Sequence, residues 1–424
     1  MPKIERLSGR EILDSRGRPT VRATCLLEGG ICAAASVPSG ASTGTAEAFE
    51  LRDGDPRRYQ GLGCRRAAAN IDGAIHDSLA GRVFTEQFEL DRAMIALDGT
   101  RTKSRIGANA VLAVSIAFAR ACAAYRGVPL YQHFADMLGS PVTTLPRLTI
   151  NLLSGGKHAG NQVSIQDVLI IPISPQTIGE VLVSAFDIYQ SAAELVLQKY
   201  GMRLLTADEG GLGPPCKSAE LMLDLAVEAI ERAGYAPGRD VFLGVDVAAT
   251  HFYQDRRYRL DSELLDSPAM IRRIAKWIDQ YPILSVEDGL AEDDWENWPR
   301  LREMIAGRAL TLGDDLLCTS PDRIRRAVEV NACDALLLKV NQIGTLTEAL
   351  EAYRQARAAG WSVTLSVRSG ETEDNWAADL AIGWHADQFK NGSIRHSERL
   401  AKYNRLLEIE ETTKLTLTGW PGRA

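Results

Sequence analysis

Lys339 stands near the end of the stretch ALLLKVNQIG, Ala335 to Gly344, at the close of an apolar run where a buried strand ordinarily carries no charge. A lysine removed from water loses part of its preference for the charged state, so Lys339 is expected to have a depressed pKa and to act as a base near neutral pH. The alternative is a strand-end lysine whose stem carries its ammonium back to solvent. Other short apolar runs also finish on polar residues: Glu209, Asp246, Glu287, Asp314, Arg368 and Lys390. Asp246, Glu287, Asp314 and Lys339 follow one another at intervals of one or two strand–helix steps. Converging carboxylates repel unless a cation sits among them, and an all-oxygen set without His or Cys suits Mg²⁺ or Mn²⁺. Each acid taken singly could instead cap the helix after its strand. Together with Lys339 they fit proton abstraction beside a carboxylate, with a metal holding the developing enediolate.

Such a set needs a scaffold that gathers strand ends. The runs LTINLL, VLIIPI, MRLLTADE, VFLGVD, ILSVED, ALTLGDD, ALLLKV, WSVTLSVRS and DQFK alternate with stretches of helical period such as PAMIRRIAKWIDQ and TLTEALEAYRQARAAG. This cadence predicts parallel strands with helical crossovers closing into a (βα)8-like barrel, whose active face lies at the C-terminal strand ends. There is one run too many for eight strands, so one early run is expected to be a hairpin or loop. Ahead of the barrel, residues 1 to about 35 read as an antiparallel meander, and Val37 to Thr45, VPSGASTGT, as a Gly/Ser loop. From about Arg65 to Asp136 the pattern is helical, clearest in GANAVLAVSIAFARACAAYRG, which Gly127 and Pro129 end. The fold class is thus α/β, with an N-terminal α+β domain over 1–138 capping a C-terminal barrel over 139–424.

The chain has 424 residues, 45% of them hydrophobic and 24% charged, with a net charge of −7. That acidity argues against general binding to nucleic acid or an acidic membrane. Cysteines 25, 32, 64, 122, 216, 318 and 333 make neither a CxxC pair nor a zinc-spaced ladder, and reduced thiols in a cytoplasmic protein are expected. The N-terminus MPKIERLSGREILDSRG has no apolar signal region and no run of 18 apolar residues follows, so neither export nor membrane insertion is indicated. GGLGP after Glu209 lacks dinucleotide-binding spacing, and SVPSGASTG lacks the end of a P-loop.

The stretches SVPSGASTG (36–44), DGTRTKSRIGANAVLAVS (98–115), GGKHAGN (155–161), ADEGG (207–211), YPILSVEDGLAEDDW (281–295), GDDL (313–316), LLLKVNQIGT (336–345), RSGETED (368–374) and SERLAKYNRLL (397–407) resemble enolase, the phosphopyruvate hydratase family, nearly end to end. The resemblance implies a first Mg²⁺ on Asp246, Glu287 and Asp314, and Lys339 as the base that takes the C2 proton of 2-phosphoglycerate. It implies that Glu209 assists loss of the 3-hydroxyl, that Lys390 neutralises the substrate carboxylate, and that Arg368 and Ser369 hold the phosphate. Ser42 matches the ligand of a second Mg²⁺, His158 the active-site histidine, and Gln166 and Asp167 the pair beside the substrate. A homodimer or higher homo-oligomer through the first domain is also implied.

The chain departs from the family pattern at several of these places. Val367 replaces the histidine of a Ser-His-Arg segment, removing a group that could donate a proton or hydrogen bond. Asp167 replaces a glutamate, which should retract the carboxylate by about 1.5 Å. Lys157 adds a cation before His158, Gly289-Leu290 replaces Pro-Phe and should loosen the loop beyond Glu287, and His396 stands where arginine is usual. These changes are expected to mark specialisation toward a larger, more anionic substrate pair. The paralogous carboxyphosphonoenolpyruvate synthases fit, since they join a phosphoglycerate unit to a CMP-activated phosphonate, phosphonoformate. An ordinary glycolytic enolase, and a non-catalytic binding protein on the same scaffold, are the competing readings.

Overall fold

A computed structural model describes residues 2–41, 44–201 and 205–421. Strands β1 (Ile4–Leu13), β2 (Pro19–Leu27) and β3 (Ile31–Ser36) form the expected antiparallel meander. Along β2, Val21, Ala23, Cys25 and Leu27 are buried and the intervening side chains are not, the alternation of a sheet covered on one face. A helical stretch over 65–79 and helices α1 (Gln87–Asp98), α2 (Ala108–Arg126) and α3 (Leu130–Leu138) complete this part. The alanines of α2 let its backbone lie close against β2 and β3. By length and composition α2 could cross a membrane, but 83% of its apolar window is buried within the fold. Gly127, at φ 66°, ends it in the left-handed conformation that glycine adopts without penalty.

Eight strands close the barrel: β4 (Arg147–Ser154), β5 (Asp167–Pro172), β6 (Val241–Asp246), β7 (Ile283–Glu287), β8 (Leu310–Gly313), β9 (Ala335–Leu338), β10 (Ser362–Ser366) and β11 (Gln388–Lys390). They neighbour one another in chain order, and β11 returns to β4. The expectation of uniformly parallel strands is corrected at β5, which runs antiparallel to both β4 and β6. The link from Gly155 to Gln166 holds a short 3-10 turn, Gly156–His158, instead of a crossover helix, so the chain turns back beside its predecessor. Helices α4 (Ile178–Tyr200) and α5 (Ala219–Arg232) then carry it to β6. The run MRLLTADE is the supernumerary one. Its described part makes only an isolated bridge, Thr206 with Leu212, because β4, β5 and β6 already fill that arc of the ring.

The reversal of β5 has a consequence for the rim. Its first residue, Asp167, pairs with Asp246 at the end of β6 and with Ser154 at the end of β4. Asp167 therefore joins the residues at the C-terminal ends of the parallel strands.

Helices α6 (Ser267–Gln280), α7 (Trp298–Ile305), α8 (Pro321–Val330), α9 (Leu346–Ala358), α10 (Trp376–Gly383) and α11 (Ser397–Thr412) follow the later strands. The Asp266 carboxylate accepts from Ala269 N at the start of α6, and Thr345 Oγ1 from Glu348 N at the start of α9. The first domain is fastened over the barrel mouth. Ser39 and Gly370 exchange backbone hydrogen bonds of 2.8 and 3.0 Å, Lys103 Nζ lies 2.9 Å from Glu348 Oε1, and Ala48 N donates to Gln342 O at 2.7 Å.

Candidate active site

Lys339 follows β9 directly and is buried. Its backbone N–H donates to Thr319 Oγ1 at 2.9 Å, and its ammonium is paired with Asp314 Oδ2. Gln342 braces the other side, donating to Asp314 Oδ1 at 2.8 Å while accepting from Thr319 Oγ1 at 2.7 Å. Burial works against the ammonium charge, but Asp314 and Glu287 outweigh it and hold the Lys339 pKa above the ordinary lysine value. The expected depression of that pKa is thus corrected for the protein groups alone, because the acids around Lys339 favour its charge. The snorkelling alternative also fails, since the ammonium turns inward.

Asp246 and Glu287 end neighbouring strands in register. Lys390, at the end of β11, bridges them with Nζ 2.8 Å from Asp246 Oδ2 and 2.7 Å from Glu287 Oε2. Burial pushes Asp246 up, but Lys390 and Lys339 bring it down to about 2. Glu287 is raised well above the usual carboxylate range by burial and by the charge of Asp246. Gln166 Nε2 donates to Asp246 Oδ2 at 3.1 Å, while Gln166 Oε1 and Glu287 Oε1 are buried acceptors with no partner among the described residues. Asp314 also belongs to a buried group with Asp288 and Asp315 whose ligand atoms lie within 4.8 Å of one another. Asp288, at φ 43°, accepts from Asp314 N at 2.9 Å and Asp315 N at 2.7 Å, fixing the turn that carries Asp314. A carboxylate-rich rim with orphaned oxygen acceptors, and lysines neutralising its acids, fits a hard divalent cation.

On the reversed-strand side, His158 Nδ1 lies 3.0 Å from Asp167 Oδ2. Asp167 Oδ1 accepts from Asn151 Nδ2 at 2.7 Å and from Ser154 Oγ at 2.8 Å. The shortened carboxylate thus has one oxygen on the imidazole and the other fixed by Asn151 and Ser154. Glu209, on a turn, comes close enough for ligand atoms of His158, Asp167 and Glu209 to lie within 4.8 Å of one another. Burial disfavours His158 protonation, yet Asp167, with Glu209 and Asp246 behind it, raises the pKa to about 9. Glu209 is held below its ordinary value, because His158, Arg399 and the two lysines outweigh its burial. The folded-state pKa of His158 lies above its ordinary 6.5. Its stabilising contribution is therefore complete below pH 6.5 and is lost as pH rises through about 9. We expect the ring protons of His158 to titrate near pH 9 by NMR, and Asp167→Asn to bring that midpoint down by roughly a unit or more. A wild-type midpoint at 6.5 would remove the proposed ion pair.

With this geometry in view, two family models account for most of the chain. "Enolase, N-terminal domain" matches residues 4–134, and "Enolase, C-terminal TIM barrel domain" matches 142–418. The chain belongs to the enolase family. It is a Mg²⁺-dependent enzyme of the enolase superfamily that acts on a phosphorylated small molecule.

The remaining residues implied by the enolase resemblance, and the departures from it, lie as follows. Arg368 Nη1 donates to Glu47 Oε2 at 3.0 Å and to Asn341 Oδ1 at 3.1 Å, and Nη2 to Glu47 Oε1 at 3.2 Å. Ser369 Oγ accepts from Ala41 N at 2.8 Å and from Arg16 Nη1 at 3.2 Å. Ser42 lies outside the described residues. Val367 is buried, with 5% exposure, and belongs to the main apolar core. Lys157 is exposed, and its charge adds to burial in lowering the pKa of His251. His396 has φ 72° and lies 3.3 Å from Thr206 Oγ1 through Nε2.

Gly289 does not loosen its loop. A Cβ there would meet Leu301 Cδ2 at 2.9 Å and Ile274 Cδ1 at 3.0 Å, so the glycine permits close packing. Sequence reasoning missed Glu47, Gln342, Asp288, Asp315 and Arg16. The doubled acids in VEDG and GDDL and the short step from Lys339 to Gln342 were available as signals. Glu47, far from Arg368 in sequence, carried none.

Proposed function

We propose that this chain forms an enolate from 2-phosphoglycerate and is specialised as a carboxyphosphonoenolpyruvate synthase, coupling the three-carbon unit to CMP-activated phosphonoformate with release of CMP. Asp246, Glu287 and Asp314 would hold Mg²⁺, which would supply positive charge to stabilise a substrate carboxylate as it gains enediolate character. Lys339 takes the C2 proton. A divalent ion held by Asp314 and Glu287 would compete for the carboxylates that support the ammonium, whereas burial, Arg368 and Lys390 oppose its charge. Protonated His158, oriented by Asp167, holds the proton for a departing group, while ionised Glu209 steadies the imidazolium. Arg368 and Ser369 bind the phosphoryl group, Gln166 and Lys157 assist binding, and Lys390 screens the carboxylates. Ser42 would contribute to a second Mg²⁺ site.

Val367 carries the specialised reading. It puts a buried aliphatic side chain directly before Arg368, so departure of the leaving group there is left to other residues. The hydratase reading is favoured in turn by the retained set of Lys339, Glu209 and His158. That same set argues against a non-catalytic scaffold protein, whose ligands and base would be expected to erode. We also place the domain boundary after Leu138, where α3 ends, and assign homo-oligomer contacts to the first domain.

The test uses purified protein with Mg²⁺. Little phosphoenolpyruvate should appear from 2-phosphoglycerate alone, and CMP should be released from CMP-phosphonoformate only when phosphoglycerate is present. Brisk absorbance from phosphoglycerate alone would identify a hydratase and overturn the specialised reading.

A further inference from the structure

Both groups assigned to the phosphoryl subsite are engaged by described residues of the first domain, Gly40, Ala41 and Glu47. The carboxylate of Glu47 sits on Arg368 as a two-point fork, through contacts of 3.0 and 3.2 Å. Guanidinium takes a phosphate oxygen pair by the same geometry. Glu47 is aimed there by Gly44 N, which donates to Oε1 at 3.1 Å. Gln342 Nε2 approaches the same oxygen at 3.4 Å. The pair is shielded from water, with side-chain exposures of 2% for Arg368 and 9% for Glu47. The backbone at Gly40 also presses on the guanidinium, since a Cβ there would fall 1.9 Å from Arg368 Nη2. The Ser369 hydroxyl accepts from Ala41 N at 2.8 Å. Beside these contacts lies a cavity of about 250 Å³ lined by Val37, Pro38, Gly44, Glu47, Glu50 and Asn341. Glu47 thus borders an open space beside its contact with Arg368.

We propose that Glu47 is a built-in competitor for the phosphoryl subsite: it occupies Arg368 when no substrate is bound and yields to a dianionic phosphoryl group, so that monoanions fail to displace it. This rests on the assignment of Arg368 to phosphate. A carboxylate and a phosphoryl dianion cannot both take the same fork. The dianion carries the larger charge, and in a site removed from water that difference decides the exchange. Glu47 therefore sets a threshold of charge that a ligand must exceed to enter.

Inorganic phosphate is the probe, titrated calorimetrically into the Mg²⁺-loaded protein. Glu47→Gln keeps an oxygen for Gly44 N but removes the competing charge, and it should tighten phosphate binding about tenfold. Unchanged or weaker binding in a variant of unchanged melting temperature overturns the proposal. Hydrogen exchange on the wild-type chain gives a second reading that needs no variant. Amides of residues 44–50 should lose protection when phosphate saturates the site, and unchanged protection counts against release of Glu47. Arg368→Gln separates the two levels. If it leaves phosphate affinity intact, the subsite assignment itself falls. If it abolishes binding while Glu47→Gln changes nothing, only the competitor role falls.

Discussion

Lys339→Ala is expected to lower turnover about a thousandfold, within the range a positioned base contributes, while Mg²⁺ binding persists. The two effects separate because Asp314 does not depend on Lys339 for its place. Gln342 still donates to Asp314 Oδ1, and Asp288 still accepts the Asp314 backbone N–H. Lys339→Arg sharpens the comparison, since it restores a cation beside Asp314 but cannot give up a proton at any working pH. Both variants should therefore be inactive, with arginine closer to wild type in stability. Steady-state rates and Mg²⁺ titration of the same preparations decide the matter. Unchanged turnover in either variant would remove Lys339 as the base.

Lys390→Ala is expected to destabilise the metal-free protein by about 3–5 kcal/mol, the range found when one partner of a buried ion pair is deleted. Its ammonium is shared by Asp246 and Glu287, both buried and in register on neighbouring strands. Without it, two carboxylates face each other with less to neutralise them. Mg²⁺ replaces the missing charge, so the loss should shrink in excess metal, and Mg²⁺ affinity should rise because a competitor has gone. Denaturant unfolding of wild type and variant, with chelator and with Mg²⁺, reads both effects. An equal loss in the two conditions would mean that Lys390 serves packing and does not act as a surrogate cation.

Much of this architecture is legible in the order of residues alone. The apolar runs that became β6 to β11 were visible because each strand is short, buried on both faces and bounded by helical periods. The polar residue at each run's end marked the rim for the same reason. β5 was also visible as a strand, but its direction was not, because an apolar run reads alike in either sense. Direction depended on the connection from Gly155 to Gln166, whose glycines and short turn specify a reversal only once β4 and β6 stand on either side. Gly289 was misread for a related reason. A glycine in isolation suggests slack, whereas here Leu301 and Ile274 press on it from α7 and α6.

Residue types and periodicity pointed to the barrel, the preceding meander and helices and the set of rim acids and lysines, and the motifs in register carried the resemblance to enolase, since all of these are written in local order. Tertiary structure decided which charge meets which. Asp167 turned to His158 because the reversed β5 begins at the rim. Lys390 took Asp246 across 144 residues and Glu47 took Arg368 across 321. Lys339 remained an ammonium because of Asp314 and Glu287, and its own apolar run did not control that. Protonation and ligand access depend on distance in space and on exclusion of water, and neither quantity exists until the chain has closed on itself.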